Sequence, residues 1–463
     1  MKFDVVIIGA GLSGLAAGLR AAQFDKRVLV VERHSLWGGL NSFYKKQGRL
    51  FDVGLHAMTN YMAPGYRGPR IPLQRLTRQL RIPLQDLDIV PQHVSSTRFD
   101  DCVLPWGNGI ESLAASVERA FPEERDGFAR LAEALAPYPD AMNDRPWVSS
   151  RARMQEYIQT PLLREMLLAP LLFYGGAAAH DMDWGQCAIL FNSIYREGLC
   201  RPKRGMRPFL KMLVDRFREA GGEMWTRAPV ERLVHRDGRV AEVVVKDRPA
   251  VQADVVLSSA GWPETEGLLE PERAKPPVRA EPGQLAFVES IWVLDRDPAE
   301  HGYDDAVTFF NAGTEFRWEA PEDDVDLRSG VLCCPNHYEG TEEPSFFAVR
   351  ATHLAHPRRW FEFDEETYRT RKAAAVEASR RRVEEIVGPF GAEVHATDAF
   401  TPRTVHHYTG HVNGAIYGSA AKRPTADIGL DNLFLIGTDQ GLVGIVGAML
   451  SGVAVTNAKV LNR

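Results

Sequence analysis

The sequence predicts a two-domain α/β protein. One domain is an open parallel sheet with helices on its faces, assembled from separated stretches of chain; the other is of mixed α+β type. Three observations predict it. The chain opens on a short β-branched run, residues 4–8, which meets the glycine cluster of residues 9–14 and then an apolar helical pattern. A second apolar run, residues 27–31, ends on Glu32. A late strand of the same character, residues 432–436, leads into Gly437-Thr438-Asp439 and then into a glycine-rich helix starting at Gly444. At 463 residues the chain is longer than one ordinary core serves, hence two domains.

The opening strand, G-x-G-x-x-G turn, helix, strand and acid form the order of a Rossmann-like dinucleotide fold, and each residue has a mechanical reason. Gly9 permits the tight turn. Gly11 lets backbone amides approach a pyrophosphate, with the amides of Leu12 and Ser13 opening the helix behind it. Gly14 lets that helix pack on the strand. A helix amino terminus favours negative charge, and Glu32 is placed to accept from a ribose, which disfavours a 2′-phosphate. No second such turn occurs, so a built-in nicotinamide domain is not expected.

The residues after the acid choose between dinucleotides. Arg33-His34-Ser35-Leu36-Trp37-Gly38-Gly39-Leu40-Asn41-Ser42 carries paired glycines just past Glu32. This segment resembles the second fingerprint of the glutathione-reductase-like flavoproteins. More narrowly, it resembles the subgroup with amine oxidases, phytoene desaturases, carotenoid isomerases, retinol saturases and the Rab escort and GDP-dissociation-inhibitor proteins. The resemblance implies FAD, with Arg33 and residues 38–42 beside the diphosphate and ribityl chain. Phe51-Asp52-Val53-Gly54-Leu55-His56 resembles the stretch leading to the flavin ring. Pro229-Val230-Glu231-Arg232-Leu233 resembles the strand whose Val packs at the adenine. Gly437-Thr438-Asp439 resembles the late motif whose acid bonds the ribityl chain. The helix after it, with Gly447 and Ala448, would face the flavin. Two departures stand out. Arg204 replaces a glycine before Gly205-Met206, and Ser258-Ser259-Ala260 replaces a stretch where many relatives place an Asn; Ala260 is carried over as a cofactor contact. No cysteine follows Cys334, so a carboxy-terminal cysteinyl link is excluded and non-covalent FAD is expected.

The FAD-binding domain is expected to be discontinuous, taking residues 1–60, 205–275 and 420–463. Residues 61–204 and 276–419 would form the substrate domain, with proline-rich seams at 274–277 and 422–424. Within it, residues 128–136 and 365–387 read as helices, and 286–294 and 346–352 as strands.

The run Thr401-Pro402-Arg403-Thr404, His406-His407-Tyr408 and Gly414-Ala415-Ile416-Tyr417-Gly418, with residues 441–452, resembles phytoene desaturase, carotenoid isomerase and retinol saturase more than amine oxidases. The expectation is an FAD-dependent oxidoreductase acting on C–C or C=C bonds of an apolar isoprenoid or polyene, as desaturase, saturase or isomerase. The alternatives are a flavin amine oxidase and a non-enzymatic prenyl-protein escort of the same fold. An amine oxidase needs an aromatic pair before the flavin, for which Tyr417 supplies one ring, and a lysine, for which Lys422 is the nearest. His56, His407, Tyr408 and Tyr417 are the candidate proton carriers. His406, His407 and His411 lack accompanying carboxylates, so no metal is expected.

Residues 162–175 are rich in Leu, Met and aromatics and read as either tunnel lining or core. Leu73, Leu76 and Leu80 share a helix face beside Arg75, Arg78 and Arg81. That pattern fits a helix resting on an anionic membrane or a core-packed helix with a solvated basic face. A net charge of −6 argues against nucleic acid. Five cysteines without metal-ligand spacing fit a reducing, cytoplasmic setting, with peripheral membrane attachment left open and no transmembrane segment expected.

Overall fold

The computed structural model describes residues 1–54, 57–61, 63, 71–139, 142, 144–270, 280–340 and 346–462. Its first sheet has five strands, all parallel, in the order Leu433–Leu435, Gln252–Ser258, Lys2–Ile8 (β1), Val28–Val31 (β2) and Glu223–Trp225. Central β1 pairs Val5 with Val255 on one side and Val28 on the other. β2 and the later residues of β1 and of Gln252–Ser258 read as apolar runs because both faces are covered there. The first helix, Leu12–Ala22 (α1), shares one core with helices Met206–Glu219 and Gly444–Thr456. The hairpin Val230–Arg236/Arg239–Val245 closes the other face through Leu233, Val240 and Val243.

Helix Gly444–Thr456 lies unusually close to α1. A Cβ on Gly452 would fall 2.1 Å from the Ser13 carbonyl, so only glycine allows this crossing. By length and composition the span Gly444–Leu461 is able to cross a membrane, but half of it is buried within the protein.

The second sheet is seven-stranded and mixed. Its order is Val394–Phe400, Ala286–Leu294, Phe347–Ala355, Ser329–Cys333, Val307–Asn311, Ser95–Phe99 and Cys102–Trp106. The long helix Glu365–Val387 covers one face through Val383 and Val387. A helical layer, including Arg125–Leu135 and Pro161–Gly175, packs against the far strands around Trp106, Phe191 and Phe309.

One expectation changes here, and one open choice is decided. Residues 71–91 were assigned to the substrate side, but Ile71, Leu73, Leu76, Leu80, Ile82 and Leu87 join the core of α1 and its partner helices. Arg20 donates to the Gln79 carbonyl at 2.8 Å and Gln23 to that of Leu80 at 2.6 Å. Helix Pro72–Gln79 therefore buries the apolar face that a membrane-resting helix would expose; Leu73 and Leu76 are each 1% accessible. The seam at 274–277 lies outside the described residues.

Candidate active site

A cavity of about 870 Å3 runs between the two sheets, and the glycine motifs build one end of it. Gly9 adopts φ +94°, and a Cβ there would meet the Ser259 hydroxyl at 2.4 Å. A Cβ on Gly14 would fall 2.0 Å from the Gly9 carbonyl, so the third glycine serves helix–strand packing rather than the cavity. Gly11 has open space before it, and Gly39 approaches its Cα. The two glycine motifs touch backbone to backbone, with the Gly38 amide donating to the Ala10 carbonyl at 2.8 Å. The α1 start has neither side-chain cap nor acidic residue, so its free N–H groups face the cavity. Glu32 is held by two amides, from Ala10 and His34, each at 2.8 Å.

Of the residues expected to hold a cofactor, Gly9, Gly11, Leu12, Ser13, Glu32, Arg33, Gly38, Gly39, Leu40, Asn41, Ser42, Val230, Ala260, Gly437, Thr438, Asp439 and Ala448 line this cavity; Gly14 and Gly447 do not. Gly447 instead packs on the turn before its helix, where a Cβ would lie 3.3 Å from the Leu442 carbonyl carbon. Asp439 lines the cavity and is also held by the protein. Its buried carboxylate accepts from the Trp262 amide at 2.6 Å and the Ser419 amide at 2.8 Å, with Lys422 at 3.6 Å. A buried charge needs such donors. Lys422 also donates to the Tyr417 carbonyl at 2.5 Å, and burial lowers its pKa while Asp439 opposes that.

The middle of the cavity is set by the loop after Phe51. Asp52 accepts from the Met206 amide at 2.8 Å, capping helix Met206–Glu219, and pairs with buried Arg201. Gly205 is required there: it adopts φ +74°, and a Cβ would lie 2.9 Å from the same carboxylate. Arg204 points away to Asp88 at 3.1 Å, so its replacement of a glycine leaves this path intact. The carbonyls of Asp52 and Val53 accept from Arg350, which also binds Glu289 at 2.6 Å through Nε. Both side chains are buried in the second sheet, and Glu289 reaches the cavity. Burial raises the Glu289 carboxyl's pKa and Arg350 opposes this.

The far end is apolar and aromatic. Phe173, Tyr174, Phe287 and Val331 line it, with the Phe173 ring 4.9 Å from Trp318. Helix Pro161–Gly175 thus serves both of its readings: its end reaches the cavity, while most of it is core. On the edge strand Asp398 pairs with Lys46 at 2.7 Å and accepts from the Tyr44 hydroxyl at 3.0 Å.

The candidate proton carriers do not assemble. Tyr417 lines the cavity beside Phe287, ring centroids 6.0 Å apart at 83°, and its hydroxyl already donates to the Phe173 carbonyl. Tyr408 is half-exposed and meets the His34 ring edge-on at 5.3 Å, beside Glu32 at the opposite end from Phe287. The His407 side chain is exposed and off the cavity. His56 lies outside the described residues. Among the described residues no group of three or more His, Cys, Asp and Glu could hold a metal ion.

Sequence reading missed Glu289 and Arg350. The signal was present: each is the one acid or guanidinium in a buried, mostly apolar strand. It also missed Glu264, which lines the cavity from helix Trp262–Leu268.

A parallel sheet with a dinucleotide cradle at its carboxyl edge, opening onto an apolar chamber, defines a flavin-dependent oxidoreductase. The chain belongs to the family described as flavin containing amine oxidoreductase, whose model matches residues 12–458. It is similar to the all-trans-retinol 13,14-reductase of Rattus norvegicus, 24% identical over 100% of this chain and 86% of that protein. It is also similar to the lycopene-forming phytoene desaturase of Pseudescherichia vulneris, 24% identical over 55% of each chain. Among solved structures, an oxidoreductase from Methanosarcina mazei superposes with a TM-score of 0.66 at 16% identity, over 99% of this chain and 100% of that one.

Proposed function

We propose that the chain binds FAD non-covalently and acts on a C–C or C=C bond of an apolar isoprenoid or polyene. FAD supplies hydride exchange with carbon. Gly11 and the first turn of α1 would hold its pyrophosphate, Glu32 its ribose, Val230 its adenine, and Gly38 to Ser42 the chain leading to the ring. The chamber residues exclude water and hold the hydrocarbon; none is assigned a proton-transfer role.

One observation carries the substrate class. The chamber beyond the loop at Val53 is walled by Phe173, Tyr174, Phe287 and Val331, and three carboxylates of the cavity are already paired with cations, Glu289 with Arg350, Asp398 with Lys46 and Asp439 with Lys422. An amine would need an uncompensated acid or a parallel aromatic pair, whereas Tyr417 meets Phe287 edge-on. The names and full-length similarity of the retinol reductases favour saturation over the reverse direction.

The test begins with acid precipitation of the purified protein, which should release FAD into the supernatant. The anaerobically reduced protein is then mixed with all-trans-retinol, and flavin re-oxidation is followed together with loss of one conjugated double bond. Reduction of the oxidised protein by a primary amine, with no polyene turnover, would transfer the chain to the amine oxidases. A protein that cannot be loaded with flavin would make it an escort.

A further inference from the structure

The segment 401–414 leaves the second sheet after strand Val394–Phe400 and crosses to the dinucleotide end of the cavity. It contains helix Pro402–Thr409, capped by the Thr401 side chain and ended by Gly410 at φ +85°. It returns to the second sheet, where Ala415 bridges to Ala286. Thr404, Val405, Tyr408, Thr409, Gly410 and His411 line the cavity on the way. Residues of the other domain hold this strap down at two places. Arg33, next to Glu32, donates to the His407 carbonyl in the last helical turn. A cation there meets both unsatisfied carbonyls and the negative end of the helix dipole. Its guanidinium also fills the space a Cβ on Gly410 would take, 2.5 Å from that position. The second latch is Glu264, which accepts from the Val412 amide at 2.7 Å and faces His411 at 3.7 Å. Burial works against the Glu264 charge, yet His411 and the amide outweigh it and hold its carboxyl below the usual range.

Resting on the FAD reading above, we infer that residues 401–414 form a clasp over the adenosine half of the cofactor, with Arg33 and Glu264 as the positioning residues that keep it shut. Tyr408 and His411 then belong to cofactor retention rather than to chemistry. A third anchor lies off the cavity: Asn413, at φ +61°, donates to the Gly283 carbonyl at 3.0 Å. It separates the clasp from direct cofactor contact, because Asn413→Gly keeps the backbone shape and touches no part of the cavity.

The experiment loads wild type and the variants Arg33→Met, Glu264→Gln and Asn413→Gly with FAD. It follows release into FAD-free buffer by flavin fluorescence, and hydrogen exchange over residues 402–414. Loss of a charge-assisted latch should raise the release rate about tenfold or more. Asn413→Gly should raise it by a smaller factor. Exchange in the strap should be slow in loaded wild type and faster in the apo form and in every variant, with the melting temperature of the apo forms unchanged. Release and strap exchange at wild-type rates in all three variants would overturn the clasp. So would faster release in Arg33→Met alone with strap exchange unmoved, which would make Arg33 a direct contact. If wild type itself takes up no FAD, the cofactor reading fails and the clasp falls with it.

Discussion

The two ends of the cavity are built by different means. The dinucleotide end is made of backbone: glycines without side chains, free amides at the α1 start, and one acid, Glu32, held by two amides. The chamber end is made of side chains, aromatic rings and charges neutralised in pairs across strands. The difference teaches where each tolerates change. A backbone cradle fails where an added Cβ meets its neighbours, as at Gly9 and Gly14. A side-chain chamber fails when a charge loses its partner, but it accepts new shapes.

The sharpest way to break the chamber is Arg350→Met. It strands Glu289 in the interior and frees the carbonyls of Asp52 and Val53, and should destabilise the protein by about 3–5 kcal/mol. Adding Glu289→Leu should restore most of the melting temperature, since a neutral pair replaces the ion pair. A single variant that melts like wild type would show the pair to be idle. In the cradle, Gly14→Ala pushes α1 off β1 because the new methyl meets the Gly9 carbonyl. It should cost about 1–3 kcal/mol and lower the flavin-to-protein absorbance ratio. Full flavin occupancy at unchanged stability would refute the packing account.

Smaller effects sharpen the contrast. Tyr417→Phe removes one hydrogen bond to the Phe173 carbonyl and should cost about 1 kcal/mol while leaving kcat nearly unchanged. A fall in kcat of about 100-fold would instead make Tyr417 a proton carrier. Away from both ends, burial raises Glu197 from its ordinary 4.5 to about 7, against the bonds it takes from Tyr138 and Asn60. Between those values the folded state holds the proton more tightly than the unfolded chain, so stability falls as pH rises through that window. Glu197→Gln should flatten that slope in thermal unfolding from acid to neutral pH; an unchanged slope would place the titrating group elsewhere.

The cradle was legible because its residues are consecutive. Gly9 to Gly14, Glu32 and Gly38-Gly39 announce their geometry within forty residues. Helix Glu365–Val387 and strand Ala286–Leu294 were equally plain, being long and periodic. The chamber was not legible, since Glu289 and Arg350 meet only once two strands pair at Ile291 and Arg350. Sequence reading grouped His407 and Tyr408 with Tyr417 as candidate proton carriers. The chain, however, loops out to His34 and back between them. Helix Pro72–Gln79 was ambiguous for a related reason: the same leucine stripe suits a membrane or a core, and only the neighbours on α1 and Met206–Glu219 decide.

The close crossing at Gly452 has a consequence for how the molecule comes into being. On the ribosome α1 is made long before the helix that seats against Ser13 and Ala17. The outermost strand of the same sheet, Leu433–Leu435, emerges just before it. Until that helix is made, α1 waits with this flank uncovered. A chain that stops short of Gly452 would leave that flank of α1 without its cover.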